Sequence, residues 1–505
     1  MDMQYEHAFQ RLEEIDRKLV VIGHIMAVLD WDSQLWVPLK ESDERGKEMA
    51  YLARAVHDLA TSNEVGDLLG VLGASSSNPS GSGRDDYEKA IIRLRYTDWD
   101  KGRKVSSDLV GRLSSATSRG YAVWADARSH KDWKRFAPVL EEILSLKKEK
   151  AELTRKPGLS LYDAMLDDFE PGMTTDEVDR LFGQVRPVCE DIVKNAPKAD
   201  DSFLMGTFDR SKQEALQKEV MKRMGFDFTR GLMGISAHPF TSALGVDDVR
   251  ITTRYTDPSV MDSFFSVVHE TGHALYEQWA SGGRQKGTSI SNGASYAWHE
   301  SQSRLWENII GRSRPFLSHV YPLWQKTFPS VFGELPFDTF YRGVNKVQAS
   351  FIRTNADEVS YNLHIILRYE MEKKLVSGEL GVDDVPEAWN ELSRQLLGIV
   401  PPDDALGCLQ DVHWASGEIG YFPTYALGNL YGAQVWDTLN RQLDSEKLLA
   451  TGEWAPVTRW LGEHVWSFGM TYTPSVLIRK VSGSELDASY FTKYLETKYK
   501  EGLSA

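Results

Sequence analysis

Cysteine is nearly absent: the 505 residues contain only Cys189 and Cys408. Two are too few for the disulfide framework of a secreted scaffold, and they fit a reducing compartment. Long apolar runs are missing as well. The longest, Leu19 to Leu29, is interrupted by His24 and falls short of the roughly 20 residues that span a bilayer. The amino-terminal stretch MDMQYEHAFQRLEE has neither the basic segment nor the apolar core of a signal peptide. Positive charge is in deficit, with 58 Lys and Arg against 73 Asp and Glu and a net charge of -15. Acidic faces repel phosphates, so nucleic acid and membrane are not expected partners, and a cytoplasmic protein is expected.

Loop-forming sequence is scarce too. Residues 74–84, ASSSNPSGSGR, are the only plainly flexible segment, read as a surface loop after an N-terminal helical hairpin over 1–73. Helical periodicity runs from Gln4 to Leu29 and ends near Asp30-Trp31-Asp32, and no solenoid repeat is visible. Between Tyr87 and Leu153, Lys, Glu, Leu and Ala at helical spacing predict two or three long helices with solvated faces. A turn at Glu170-Pro171-Gly172 precedes a capping box formed by Thr174 and Glu177. The chain reads as mainly α and as one large helical body, a single domain over 1–505 with its core at about 230–430. Strand-like sequence is concentrated in 238–254, where Val249, Ile251 and Thr253 alternate with Arg250 and Thr252. A small sheet is expected there. It either offers an edge to an extended peptide or is a plain surface hairpin.

What the chain does have is His269-Glu270-Thr271-Gly272-His273. On a helix, this spacing stacks both imidazoles on one face about one turn apart, where they can grip one metal ion. Met261, Phe264, Phe265, Val268, Leu275 and Tyr276 supply the amphipathic periodicity of a buried helix. Glycine inside a helix costs about 1 kcal/mol relative to alanine, so Gly272 suggests close backbone packing beside the metal. Zinc prefers tetrahedral sites with one position open to water, so a third protein ligand is needed. Glu270 is placed to take that water's proton. The segment His299-Glu300-Ser301-Gln302 opens a second helical stretch and offers Glu300, in the two-His, one-Glu arrangement of the glutamate-type zincins. Its competitors are Glu277, one turn beyond His273 and too far along the axis, and Glu307, which reaches only if its helix runs in another register.

Further motifs stand in order around this pair: Trp31-Asp32, Tyr162-Asp163-Ala164, His238-Pro239-Phe240, Asp248-Val249-Arg250-Ile251-Thr252, Ile352-Arg353-Thr354-Asn355-Ala356-Asp357, and Gly407-Cys408-Leu409-Gln410-Asp411-Val412-His413-Trp414. Together they closely resemble the carboxypeptidase Taq family of metallocarboxypeptidases over nearly the whole chain. Leu35, Trp36 and Val37 depart from the family pattern.

The resemblance implies an almost wholly helical fold with a deep groove, a metal at its floor and a small sheet along one wall. It also implies a homodimer that removes single residues from peptide carboxyl termini. Carried over motif by motif, His269, His273 and Glu300 match the metal ligands, and Glu270 the general base. Arg353 matches the residue that binds the substrate's terminal carboxylate, unless it forms a structural ion pair with Asp357 or Glu358. His413 is the leading donor to the oxyanion, supported by Tyr421 or Tyr425, with a buried core histidine as the alternative. His238, Asp248, Arg250 and Gln410 are assigned to substrate binding, and Gln302 and Asp411 to orienting ligands or substrate. One divalent metal per subunit is expected, zinc or cobalt. A dipeptidyl carboxypeptidase or oligopeptidase would share the metal site with a more distant carboxylate clamp. A helical binding protein without turnover would lack the base or the third ligand.

Overall fold

Apolar residues at helical spacing, punctuated by good amino-terminal caps, account for most of the architecture, and the computed structural model describes residues 2–255 and 258–502. The first helix, Asp2–Leu35, runs past its expected end, and Ser33 Oγ donates back to the Leu29 carbonyl at 2.8 Å. Its Phe9, Leu12, Ile15 and Leu19 form a core with Val65, Leu69 and Ile91. The expected hairpin is therefore three helices, Asp2–Leu35, Ser42–Ala60 and Asn63–Val71. Residues 74–84 are a loop that is tied down: Ser75 and Asn78 exchange two backbone hydrogen bonds of 3.0 Å, and Ala74 packs on that core.

Three long helices follow, Asp86–Lys104, Ser107–His130 and Trp133–Thr154. The capping box of Thr174 and Glu177 starts the helix Thr175–Asn195 as its spacing predicts.

The only sheet among the described residues has three strands, β1 (Gly231–Ile235), β2 (Thr241–Gly245) and β3 (Asp248–Thr253), in the order β1-β3-β2. β2 and β3 form an antiparallel hairpin within the stretch where a small sheet is expected, and β1 pairs parallel with β3. β1 is not legible in the sequence, because two of its five residues are glycine and its burial does not alternate. Val249 and Ile251 of β3 are fully buried against Val267 and Ala274 of the helix Val260–Ala280. The sheet thus fixes one side of the helix that carries both motif histidines. Ser259 caps that helix, its Oγ accepting from Met261 N at 3.2 Å.

The chain divides into two compact units, each built from discontinuous segments, where the sequence suggests one continuous body. The first comprises 1–103, 202–341 and 435–483, and the second 104–201, 342–434 and 484–505. Among the described residues no helix is long and apolar enough to cross a membrane.

Candidate functional site

In the first unit, the histidine helix meets a second helix, Tyr296–Arg304, at Gly272. A Cβ added there would lie 2.6 Å from the Gln302 carbonyl oxygen and 2.7 Å from Ser303 Cα. Only glycine permits this approach. It brings Glu300 Oε2 to 3.3 Å from His273 Nε2 and 3.6 Å from His269 Nε2. Bonds of about 2.0–2.1 Å arranged tetrahedrally put ligand atoms about 3.3–3.4 Å apart, so the three residues fit a zinc-like ion. They form the one cluster of this kind found among the described residues.

Charge and burial around the three favour an ionised Glu300 and a neutral His273. Burial pushes the Glu300 carboxyl up, but Arg304 and the neighbouring imidazoles hold it well below the usual carboxylate range. Arg304 Nε donates to Glu300 Oε1 at 2.7 Å, while Oε2 faces the histidines and accepts from Ser303 Oγ at 3.1 Å. Burial holds His273 neutral, lowering its pKa to about 3. His269 is also pressed down by burial, yet Glu300 and Glu307 more than offset this and raise it above the ordinary value.

Glu307, set aside on helical register, is in fact a partner of the site, with Oε2 at 2.8 Å from His269 Nδ1. The helix changes at Leu305 into a π-helix that runs to Ile310, which supplies the altered register. Arg304 reaches Glu307 as well, at 3.0 Å, and holds its pKa at about 2 against the effect of burial. Glu277 is not at the ligand position. Its Oε1 lies 2.7 Å from His299 Nε2, and His299 Nδ1 lies 2.5 Å from His273 Nδ1. His299 and Thr241 were missed as site residues, because neither spacing nor composition shows what each touches. Thr241, the first residue of β2, donates from Oγ1 to Glu270 Oε2 at 2.6 Å and to the Glu270 carbonyl at 3.0 Å. Burial raises the Glu270 pKa. Gln302, expected to orient a ligand, instead accepts a hydrogen bond from Trp466 Nε1 at 2.8 Å. Asp248 and Arg250 pair with each other on one face of β3, at 2.7 and 2.8 Å. His238 is exposed just before β2, its carbonyl accepting from Ser236 Oγ.

The second unit holds a buried charged cluster around Arg353. The partner of Arg353 is Asp411, neither Asp357 nor Glu358: its Nε and Nη2 lie 3.0 and 2.9 Å from Asp411 Oδ1. Arg368 grips the other oxygen of the same carboxylate at 2.7 and 2.6 Å. Asp357 caps the helix Ser360–Ser377, and Glu358 pairs with Lys498 at 2.6 Å. Burial and Arg353 hold His413 neutral, with its pKa lowered to about 3. His413 Nε2 lies 3.1 Å from the Tyr425 hydroxyl, its ring lies 5.4 Å from that of Tyr421, and its buried Nδ1 has no hydrogen-bond partner. Two guanidinium groups here share one carboxylate. Gln410 is committed to backbone, accepting from Arg353 N at 2.8 Å and donating to the carbonyls of Phe351 and Gly407 at 3.0 Å.

The family comparison agrees with this chemistry. The profile of the carboxypeptidase Taq (M32) metallopeptidases matches residues 11–499. Thermostable carboxypeptidase 1 of Thermus thermophilus is 37% identical, covering 98% of this chain and 99% of its own. Carboxypeptidase 1 of Bacillus subtilis is 36% identical over 94% of each chain. Among solved structures, the M32 carboxypeptidase from Deinococcus radiodurans R1 superposes with a TM-score of 0.93 at 34% identity, covering 99% of this chain and 100% of that one. Metallocarboxypeptidase 1 of Trypanosoma cruzi gives 0.91 at 32% identity, over 98% and 100%. With a two-histidine, one-glutamate cluster of ligand geometry and relatives matching end to end, the chain belongs to the carboxypeptidase Taq (M32) metallopeptidase family and is a metallocarboxypeptidase.

Proposed function

We propose that the protein releases single amino acids from the carboxyl termini of peptides, using one zinc or cobalt ion per subunit held by His269, His273 and Glu300. The observation that carries this reading is the 3.3 and 3.6 Å convergence of the three ligand atoms, with the Glu270 carboxylate one residue from the first. When bound, the metal supplies a Lewis acid that polarises the scissile carbonyl and lowers the pKa of water. Glu270 is the general base. Its raised pKa makes it a better proton acceptor, and Thr241 Oγ1 keeps one carboxylate oxygen fixed while the other is left for the proton.

Arg353 selects the chain end in this reading, because a planar guanidinium matches a carboxylate. Asp411 and Arg368 fix the guanidinium plane, and Gln410 positions the Arg353 backbone. His413, with its buried Nδ1 unpaired, is assigned as the donor to the oxyanion that forms on the substrate, supported by Tyr421 or Tyr425. His238, Asp248 and Arg250 are assigned to the substrate strand. Asp248 and Arg250 satisfy each other, so theirs is a paired, orienting part. Both units act as one catalytic domain, since the family match runs through both. A homodimer in the cytoplasm is proposed from the family resemblance and from two cysteines that are both buried and free.

The test is mass spectrometry of a short peptide, free or amidated at its carboxyl terminus, with metal-loaded protein. Stepwise loss of single residues, blocked by amidation, is the expected result. Glu270→Gln should lower the rate about 10²–10⁴-fold while metal binding persists. Release of dipeptides would assign the protein to the dipeptidyl class and move the clamp away from Arg353. Light scattering checks the dimer.

A further inference from the structure

We infer that Glu277, acting through His299, fixes the tautomer of His273 and so presents the Nε2 lone pair of His273 to the metal. The inference deepens the proposed metal site and rests on His273 being a ligand. A neutral imidazole has one donor nitrogen and one acceptor nitrogen. Two imidazoles whose Nδ1 atoms lie 2.5 Å apart share one proton, so one ring donates and the other accepts. The carboxylate at the far end decides which. Glu277 Oε1, 2.7 Å from His299 Nε2, accepts only, so in a pair of neutral imidazoles His299 carries its proton on Nε2 and offers a lone pair at Nδ1. His273 then donates from Nδ1, and its remaining lone pair sits on Nε2, the nitrogen facing Glu300.

The surroundings hold His299 in this place. Tyr276 stacks on its ring at 5.4 Å with an interplanar angle of 28°. The Tyr276 hydroxyl accepts from Ala294 N at 3.1 Å, which anchors the adjacent loop. A Cβ at Gly293 would come within 2.7 Å of His299 Cδ2, so the loop can close on the ring only with glycine there. Glu277 itself is 7% exposed. Each metal histidine therefore has a carboxylate behind it. Glu307 bonds to His269 directly, whereas Glu277 reaches His273 through an intervening imidazole.

Glu277 and His299 are positioning residues, and metal affinity tests them without any activity assay. Dissociation constants for Zn²⁺ are measured by chelator competition, together with the visible spectrum of the Co²⁺-loaded protein and circular dichroism of each variant. His299→Phe is expected to weaken Zn²⁺ binding about 10–100-fold, and Glu277→Ala to weaken it in the same direction. The double variant is expected to bind no more weakly than His299→Phe, because both changes break one chain. His299→Asn keeps an acceptor near the place of Nδ1, and it should recover most of the affinity and make it indifferent to Glu277→Ala. Additive losses, or unchanged affinity in folded His299→Phe, would overturn the inference. Should His299→Phe fail to fold, the Glu277→Ala and His299→Asn comparison decides. Wild-type protein without stoichiometric Zn²⁺, or His273→Ala binding as tightly as wild type, would instead overturn the metal site itself.

Discussion

Thr241 shows how a single hydroxyl governs a reacting group. Its Oγ1 lies 2.6 Å from Glu270 Oε2, and a hydrogen bond to a charged group is worth about 1.5–3 kcal/mol. Thr241→Val should therefore lower kcat at least about 10-fold with little change in KM, and Thr241→Ser should restore it. Steady-state kinetics on a single-step peptide checks both. His413 makes a different prediction, for stability. Its folded pKa of about 3 lies below the ordinary 6.5, so the unfolded chain binds more protons between these values. Stability from this group is fully present above pH 6.5 and is lost as pH falls toward 3, by about 1.4 kcal/mol per pH unit within the window. Glu372, pushed up to about 7 by burial, works in the opposite direction between roughly pH 4.5 and 7. His413→Gln should thus lower the number of protons taken up on urea unfolding between pH 6 and 5 by about one. An unchanged proton uptake would show that the ring is not held neutral.

At the scale of the element, the crossing at Gly272 determines whether Glu300 arrives. Gly272→Ala should cost about 1–3 kcal/mol by overpacking and weaken metal binding, because the added methyl pushes the Glu300 helix away. Gly23 is the control. It also sits inside a helix, but an added Cβ there meets nothing within 4 Å, so Gly23→Ala should stabilise by about 1 kcal/mol. Equal effects of the two substitutions in thermal melts would refute the packing argument. The π-helix Leu305–Ile310 is the other decisive element, since it carries Glu307 to within reach of His269. A regular helical wheel drawn from the sequence has no way to show it.

For the whole molecule, metal and fold are linked. The ligands come from two helices that pack backbone to backbone at Gly272, a contact made by the protein itself, so the metal-free protein should remain folded but melt at a lower temperature. Metal at about 100 times its dissociation constant stabilises by about 2.7 kcal/mol. Calorimetry with and without chelator tests this, and collapse of the secondary structure on chelation would contradict it.

The metal chemistry and the helical class are written locally along the chain. The spacing of His269 and His273 depends only on the pitch of a helix, and apolar periodicity makes that helix whatever packs around it. The same holds for the capping box at Thr174 and for the hairpin of β2 and β3, whose signals are local. Arg353 was legible as a cation in a motif, but its partner Asp411 lies 58 residues away and was not. Which acids stand behind the metal histidines, that Thr241 holds Glu270, and that Gln410 serves the backbone emerge from the packed fold alone. Those facts depend on helix crossings, on one π turn and on strand pairing, which join residues far apart in the chain and leave no periodic trace in it.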